Sequence, residues 1–163
     1  LREAADLLKI PPLELPRRLA KLLEEQRLLE KQLAEFERGL ARARAREIAG
    51  GARQVGEVTV VAARVDGLDQ EGLRAVVDSV RERMESVVIC LGSVRNGKVI
   101  LVAAVTKDLA SRFNAGELIQ EVAKIVGGGG GGRPDLAQAG GKDPAKLDQA
   151  LTLVYEWVRR ASA

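Results

Sequence analysis

Two hydrophobic periods divide the chain. From Leu1 to Ile10, apolar residues at 1, 4, 5, 7 and 8 follow a helical spacing. Pro11-Pro12 ends that helix, because the ring removes a backbone donor and restricts the residue before it. A second, much longer helix is predicted from about Pro16 to Ile48. Its apolar residues recur at heptad spacing: Leu19, Gln26, Leu33 and Leu40 share one core position, and Leu22, Leu29, Phe36 and Ala43 share the other. Leu23 and Leu28 widen the stripe. Such a stripe requires a partner: the first helix, a second copy, or the rest of a larger enzyme. A parallel copy would set Glu25 against Glu30, which favours an antiparallel or intramolecular arrangement.

After Gly50-Gly51 the period changes, and the pair is read as a boundary between a helical subdomain, 1–50, and a globular one, 51–163. Glu57–Val65, Ser86–Leu91 and Lys98–Thr106 are β-branched and apolar runs, predicted as strands. Asn96-Gly97 predicts a tight turn that makes the last two a hairpin. Helices are predicted over Gln70–Met84 with Asp69 as cap, over Ala115–Val126, and from Pro144 to Arg159; Leu109–Phe113 is read as a short one. The order β-α-β-β-α-loop-α predicts an α/β fold, with a long N-terminal coiled-coil-like helical segment followed by a small mixed sheet covered by helices.

Six successive glycines, Gly127, Gly128, Gly129, Gly130, Gly131 and Gly132, break the pattern. A strand or helix interior is not expected there, since each glycine costs backbone entropy and brings no side chain. The run is read as a loop whose N–H groups turn toward an anion. Arg133 and Lys142 bracket it, and Asp143-Pro144 reads as an N-cap followed by proline at the first helical position. A flexible linker is the alternative reading. Against it, Gln138-Ala139-Gly140-Gly141 continues the stretch without repetition.

The string Gly128–Lys142, GGGGGRPDLAQAGGK, resembles the glycine-rich signature of the DHHA1-type (C-Ala) domain that ends alanyl-tRNA synthetases. The helix, double-proline break and second helix at the start are similar to the segment that follows the editing domain in that family, and Ala115–Ile119 also agrees. The resemblance therefore covers nearly the whole chain. It implies a non-catalytic module that contacts the outer corner of tRNA, joins the aminoacylation and editing modules, and contributes to dimers in some members. On that footing the partners are alanine-specific tRNA, the catalytic and editing domains of a parent chain, and a second copy. The candidate tRNA contacts are Gly127 through Gly132, Arg133, Gln138 and Lys142, with Lys107, Arg112 and Lys146 beside them. Related DHH-family phosphoesterases carry a histidine in the matching motif, where this chain has Arg133 and no histidine anywhere.

Composition narrows the chemistry. Hydrophobic residues make up 46% and aromatics 2%, so the core is built from Leu, Val, Ile and Ala. With 26 basic and 23 acidic residues the net charge is +3, too balanced to identify a nucleic-acid binder; any basic surface is local. One such stripe is Arg38, Arg42 and Arg46, which suits either a helix C-terminus or a phosphate. Cys90 lies in an apolar run and is read as a buried reduced thiol. No histidine is present as base or ligand, and one cysteine makes no metal site, so no catalytic residue, metal or cofactor is expected. Asp66, Asp69 and Asp108 are read as turn and capping residues, and Trp157 and Tyr155 as packing residues rather than base-stacking ones. The loop is neither a P-loop nor a dinucleotide fingerprint. No run reaches a membrane span, a cytoplasmic setting is expected, and the initial Leu1 is taken to mark an excised fragment. Two rival functions remain: the nucleic-acid-binding domain of a DHH phosphoesterase, and a mainly structural dimerisation module.

Overall fold

A computed structural model describes residues 2–163, so Leu1 of the first predicted helix lies outside the described residues. The chain divides into two units, Leu1–Gly39 and Leu40–Ala163. In the first, α1 (Arg2–Leu7) is followed by a 3-10 turn at Pro12–Glu14 and by the start of α2 (Leu15–Gly50). Ala5 and Leu15 are buried. The heptad seam is not: Leu19, Leu29, Leu33 and Phe36 expose 46%, 64%, 58% and 65% of their surfaces. Gln26, at a seam position, donates along its own helix to Glu30 at 2.9 Å.

The boundary between units precedes the Gly50-Gly51 pair. The last turns of α2 belong to the second unit, where Ala41 and Ala45 are buried and Ile48 packs against the core. That unit holds six strands: β1 (Arg53–Val55), β2 (Val58–Arg64), β3 (Val87–Arg95), β4 (Lys98–Val105), β5 (Gly129–Gly132) and β6 (Leu136–Gly141). Their order in the sheet is β1-β2-β3-β4-β6-β5. β2 and β3 run parallel, joined through α3 (Gln70–Arg83), while every other neighbouring pair is antiparallel. The sheet is mixed and helix-covered, as the hydrophobic pattern predicts.

Alternation along β3 and β4 feeds two cores. Ile89, Leu91, Val102 and Ala104 meet Leu73, Val76, Val77 and Val80 of α3 on one face. Val88, Cys90, Leu101 and Ala103 meet α4 (Ala115–Ile125) and α5 (Leu147–Ser162) on the other. Burial pushes the Cys90 thiol up to about 12, which makes it an inert core residue. Asp69 caps α3 by accepting from the Gly72 N–H at 2.8 Å. Asn114 does the same for α4 through Gly116 and Glu117. Asn96 and Gly97 take φ of 51° and 72°, which closes the β3–β4 hairpin in a two-residue turn matched to the strand twist.

Five expectations change. β1 and β6 are strands that periodicity does not announce. Leu109–Phe113 is a run of turns, not a helix; Leu109 and Phe113 are buried and anchor the connection between β4 and α4. The final helix starts at Leu147 after a 3-10 turn at Pro144–Lys146. Asp143 makes no side-chain capping bond and lies instead 3.6 Å from Lys146 Nζ. The glycine run forms no loop at that helix start, because Gly129–Gly132 are strand β5 and β6 follows before the helix.

Candidate nucleic-acid interface

The six glycines do two different structural jobs. Gly127 and Gly128 finish α4. Gly127 takes φ +66° and donates to the Lys124 carbonyl at 3.2 Å, while Gly128 donates to the Ala123 carbonyl at 2.9 Å. This 5→2 and 6→1 pair is a Schellman motif, with glycine at the left-handed position a side chain would strain. Gly129–Gly132 then form β5, paired antiparallel with β6 from Gly129↔Gly140 to Gly132↔Ala137. The expected anion-seeking loop is therefore largely a strand with a partner.

Close approach explains why the strand is glycine. A Cβ on Gly128 would lie 1.7 Å from the Gly140 oxygen, one on Gly130 2.1 Å from the Gln138 oxygen, and one on Gly132 2.5 Å from the Leu136 oxygen. On the return strand, a Cβ on Gly141 would meet Val126 Cγ2 at 2.4 Å. Alternate residues of β5 thus face backbone with no room for a methyl group. Gly129 faces open space, and Gly131 only the Gln120 amide at 3.7 Å. Entropy disfavours glycine in a strand, but here any other residue would push the two backbones apart.

The turn joining β5 to β6 is closed by Arg133 N–H to the Leu136 carbonyl at 2.9 Å and by the reverse bond at 3.3 Å. Antiparallel alternation from that bonded pair directs the Gly129 and Gly131 N–H groups toward β6. It directs those of Gly130 and Gly132 outward, at the edge of the sheet. Gly130 is exposed there, while the outer carbonyl of Gly132 abuts the start of α4 at Gly116. The edge keeps a short row of outward backbone groups with no side chain in front of them.

The candidate cations are split between the two ends of this hairpin. At the turn end, Arg133 is exposed and pairs with Asp135 at 3.2 Å. Val105 N–H donates to the Asp135 backbone carbonyl and Ala115 N–H to that of Pro134, so the connection carrying Lys107 and Arg112 adjoins the same turn. Arg112 rests its guanidinium 5.3 Å from the Phe113 ring centre. At the other end, the Lys142 and Asp143 N–H groups both donate to the Val126 carbonyl, which places Lys142 and Lys146 beside the end of α4. Six residues of β6 separate the two groups, roughly 20 Å at strand rise. Gln138 lies between, half-buried and opposite Gly131. A surface of that span fits an extended polyanion better than a single phosphate.

Other features are structural. Trp157 is buried and tilted against Phe113, with ring centres 6.2 Å apart. Tyr155 lies under the Arg53 guanidinium at 5.0 Å. Asp66 accepts from Arg64 Nε and from the Val94 N–H, and these bonds hold its carboxyl below the usual range. Asp108 accepts from the Ser86 hydroxyl, which lowers its own. Among the described residues, no group of three or more His, Cys, Asp or Glu side chains could hold a metal ion. Among the described residues, no helix is long and apolar enough to cross a membrane. Sequence reasoning missed Gln120 and Gly116, the α4 residues beside Gly131 and Gly132 of β5.

The DHHA1 domain family matches residues 57–160. Alanine--tRNA ligase of Cupriavidus necator is 46% identical over 97% of this chain, and that of Geobacillus kaustophilus is 46% identical over 99%. In both cases the chain spans 18% of the relative's length. Among solved structures, the C-Ala domain of Aquifex aeolicus alanyl-tRNA synthetase superposes with a TM-score of 0.62 at 37% identity, covering 66% of this chain and 97% of that one.

Proposed function

The chain belongs to the DHHA1 domain family, and on that premise we propose that it is the tRNA-binding C-terminal module of an alanine--tRNA ligase. The observation that carries the reading is the side-chain-free edge of β5 with cations at both ends of its hairpin. Backbone N–H groups and dispersed cations recognise phosphate and shape more than base sequence. The module itself has no catalytic role and needs no cofactor; aminoacylation and editing belong to other domains of the parent chain, in the cytoplasm. A second role in dimerisation is favoured by one separate observation, the uncovered leucine seam of α2.

Binding of alanine-specific tRNA, measured against salt, tests the reading. Arg133→Ala should weaken binding by roughly 1–3 kcal/mol, the range of a charge-assisted bond. Arg133→Ala and Lys142→Ala should each flatten the salt dependence by about one unit of slope. Because the two lie at opposite ends of the hairpin, their effects should add. Unchanged affinity and slope in folded variants would remove the hairpin from the interface. Catalysis by the purified chain alone would refute the non-catalytic role.

A further inference from the structure

The sheet has a second open edge, on the opposite side from β5. β1 pairs only with Val58, Thr59 and Val60 of β2. The ladder stops there because Gly51 and Ala52, which would continue it, donate back to the Ile48 and Ala49 carbonyls at the end of α2. Thr59 and Val65 donate to Ser86 and Gly92 on the β3 side, so by alternation Ala62 and Arg64 turn their backbone groups to the open side. Tyr155 Oη reaches the Ala62 carbonyl at 3.5 Å. No strand among the described residues pairs with this stretch on that side.

A groove of about 340 Å³ runs along that edge, lined by Arg44, Glu47, Ile48, Ala62, Ala63 and Arg64. Half-buried Arg44 lines it, and the buried Nη1 of that side chain has no hydrogen-bond partner. A buried guanidinium nitrogen without an acceptor is a costly arrangement, relieved when an acceptor arrives. The neighbouring cation is already committed: Arg64 donates from Nε to both Asp66 oxygens at 2.9 Å and from Nη1 to Asp148 at 3.3 Å.

We propose that this groove receives an extended polypeptide segment, which adds a short strand beside Ala62–Arg64 and places one carboxylate on Arg44. The alternating N–H and C=O groups of a strand edge are complementary to a peptide backbone. A phosphate chain offers only acceptors. Glu47 in the groove wall and the neutralised Arg64 leave one uncommitted cation, which matches a single carboxylate and disfavours a polyanion. Ile48, Ala62 and Ala63 supply apolar wall for small side chains on either side of it.

The test uses an acetylated, amidated peptide, Thr-Val-Glu-Val-Thr, and its Thr-Val-Gln-Val-Thr counterpart, each titrated to millimolar concentration into the isotope-labelled chain. Amide resonances of Ala62, Arg64 and Val65 should shift, and the glutamate peptide should bind roughly tenfold more tightly than the glutamine one. Arg44→Gln should abolish that preference while leaving the resonances of the β3–β4 hairpin in place. The comparison of the two peptides on the unaltered chain decides the matter even where the variant does not fold. Absence of shifts at Ala62–Val65, equal affinity for the two peptides, or shifts confined to the β5 edge would each overturn the assignment. A tetrauridylate that shifts the same amides and displaces the glutamate peptide would overturn it too, in favour of RNA.

Discussion

Two tight hairpins of the globular unit, β3–β4 and β5–β6, reach the same topology by opposite means, while the third, β1–β2, is only three pairs long. In β3–β4 every strand residue has a side chain except Gly92, and the register is set by which face each side chain buries. A slip of one residue would turn Leu101 and Ala103 out of one core and into the other. In β5–β6 the outer strand has no side chains at all, and register is set by exclusion: only glycine fits where alternate positions meet the partner backbone. One hairpin is specified by what it contains and the other by what it leaves out.

The comparison can be broken at each kind of position. The largest effect is expected from Leu101→Ala, which empties a fully buried site in β4 and should cost about 2–5 kcal/mol in urea unfolding. Gly130→Val should follow at roughly 3 kcal/mol, because its Cβ would fall 2.1 Å from the Gln138 oxygen. The loss should appear as broadened resonances in β5 and β6 with β3 and β4 intact; an undisturbed hairpin would contradict exclusion as the source of register. Gly97→Ala, at φ +72°, should cost about 1 kcal/mol through turn strain alone. The smallest effect belongs to Gly129→Ala, whose Cβ meets nothing within 4 Å. It should be neutral or stabilising by less than about 1 kcal/mol, and a loss as large as that of Gly130→Val would refute the alternation.

The same contrast explains what the sequence discloses. α3, β3, β4 and their turn are legible because apolar side chains mark which face is buried and Asn96-Gly97 marks the reversal. β5 and β6 are nearly silent, since glycine and alanine carry almost no hydropathy signal. The available clue was Pro134-Asp135, a turn pair set between two segments of similar length. Short β1 escapes for want of alternation over three residues. The seam of α2 is legible as a pattern, yet within the chain its leucines stay exposed, so the pattern alone does not place them in a core. For the candidate interface, the sequence offers the candidate cations but not their separation, because that depends on the unseen return strand. The open edge of β2 and the orphaned Arg44 nitrogen arise from where a ladder stops, which no residue type announces.

The glycine strand also bears on the order in which the unit opens. Each glycine loses roughly 0.5–1 kcal/mol more backbone entropy on ordering than alanine, so the four residues of β5 carry about 2–4 kcal/mol of additional local cost. No buried side chain offsets it. β5 should therefore come free of the sheet in excursions that leave β3 and β4 closed, a separate cooperative unit with a lower opening energy. Native-state hydrogen exchange should show the inward amides of Gly129 and Gly131 exchanging well ahead of those of Cys90 and Leu101, and independently of denaturant. Cys90 gives a second clock, since its thiol should react with a disulfide reagent only at the rate of global unfolding. If both clocks ran together, the hairpin would be an integral part of the core. If they separate, an RNA backbone docking along β5 would close a segment that is intermittently open, and the amides it protects would identify the contact without any substitution.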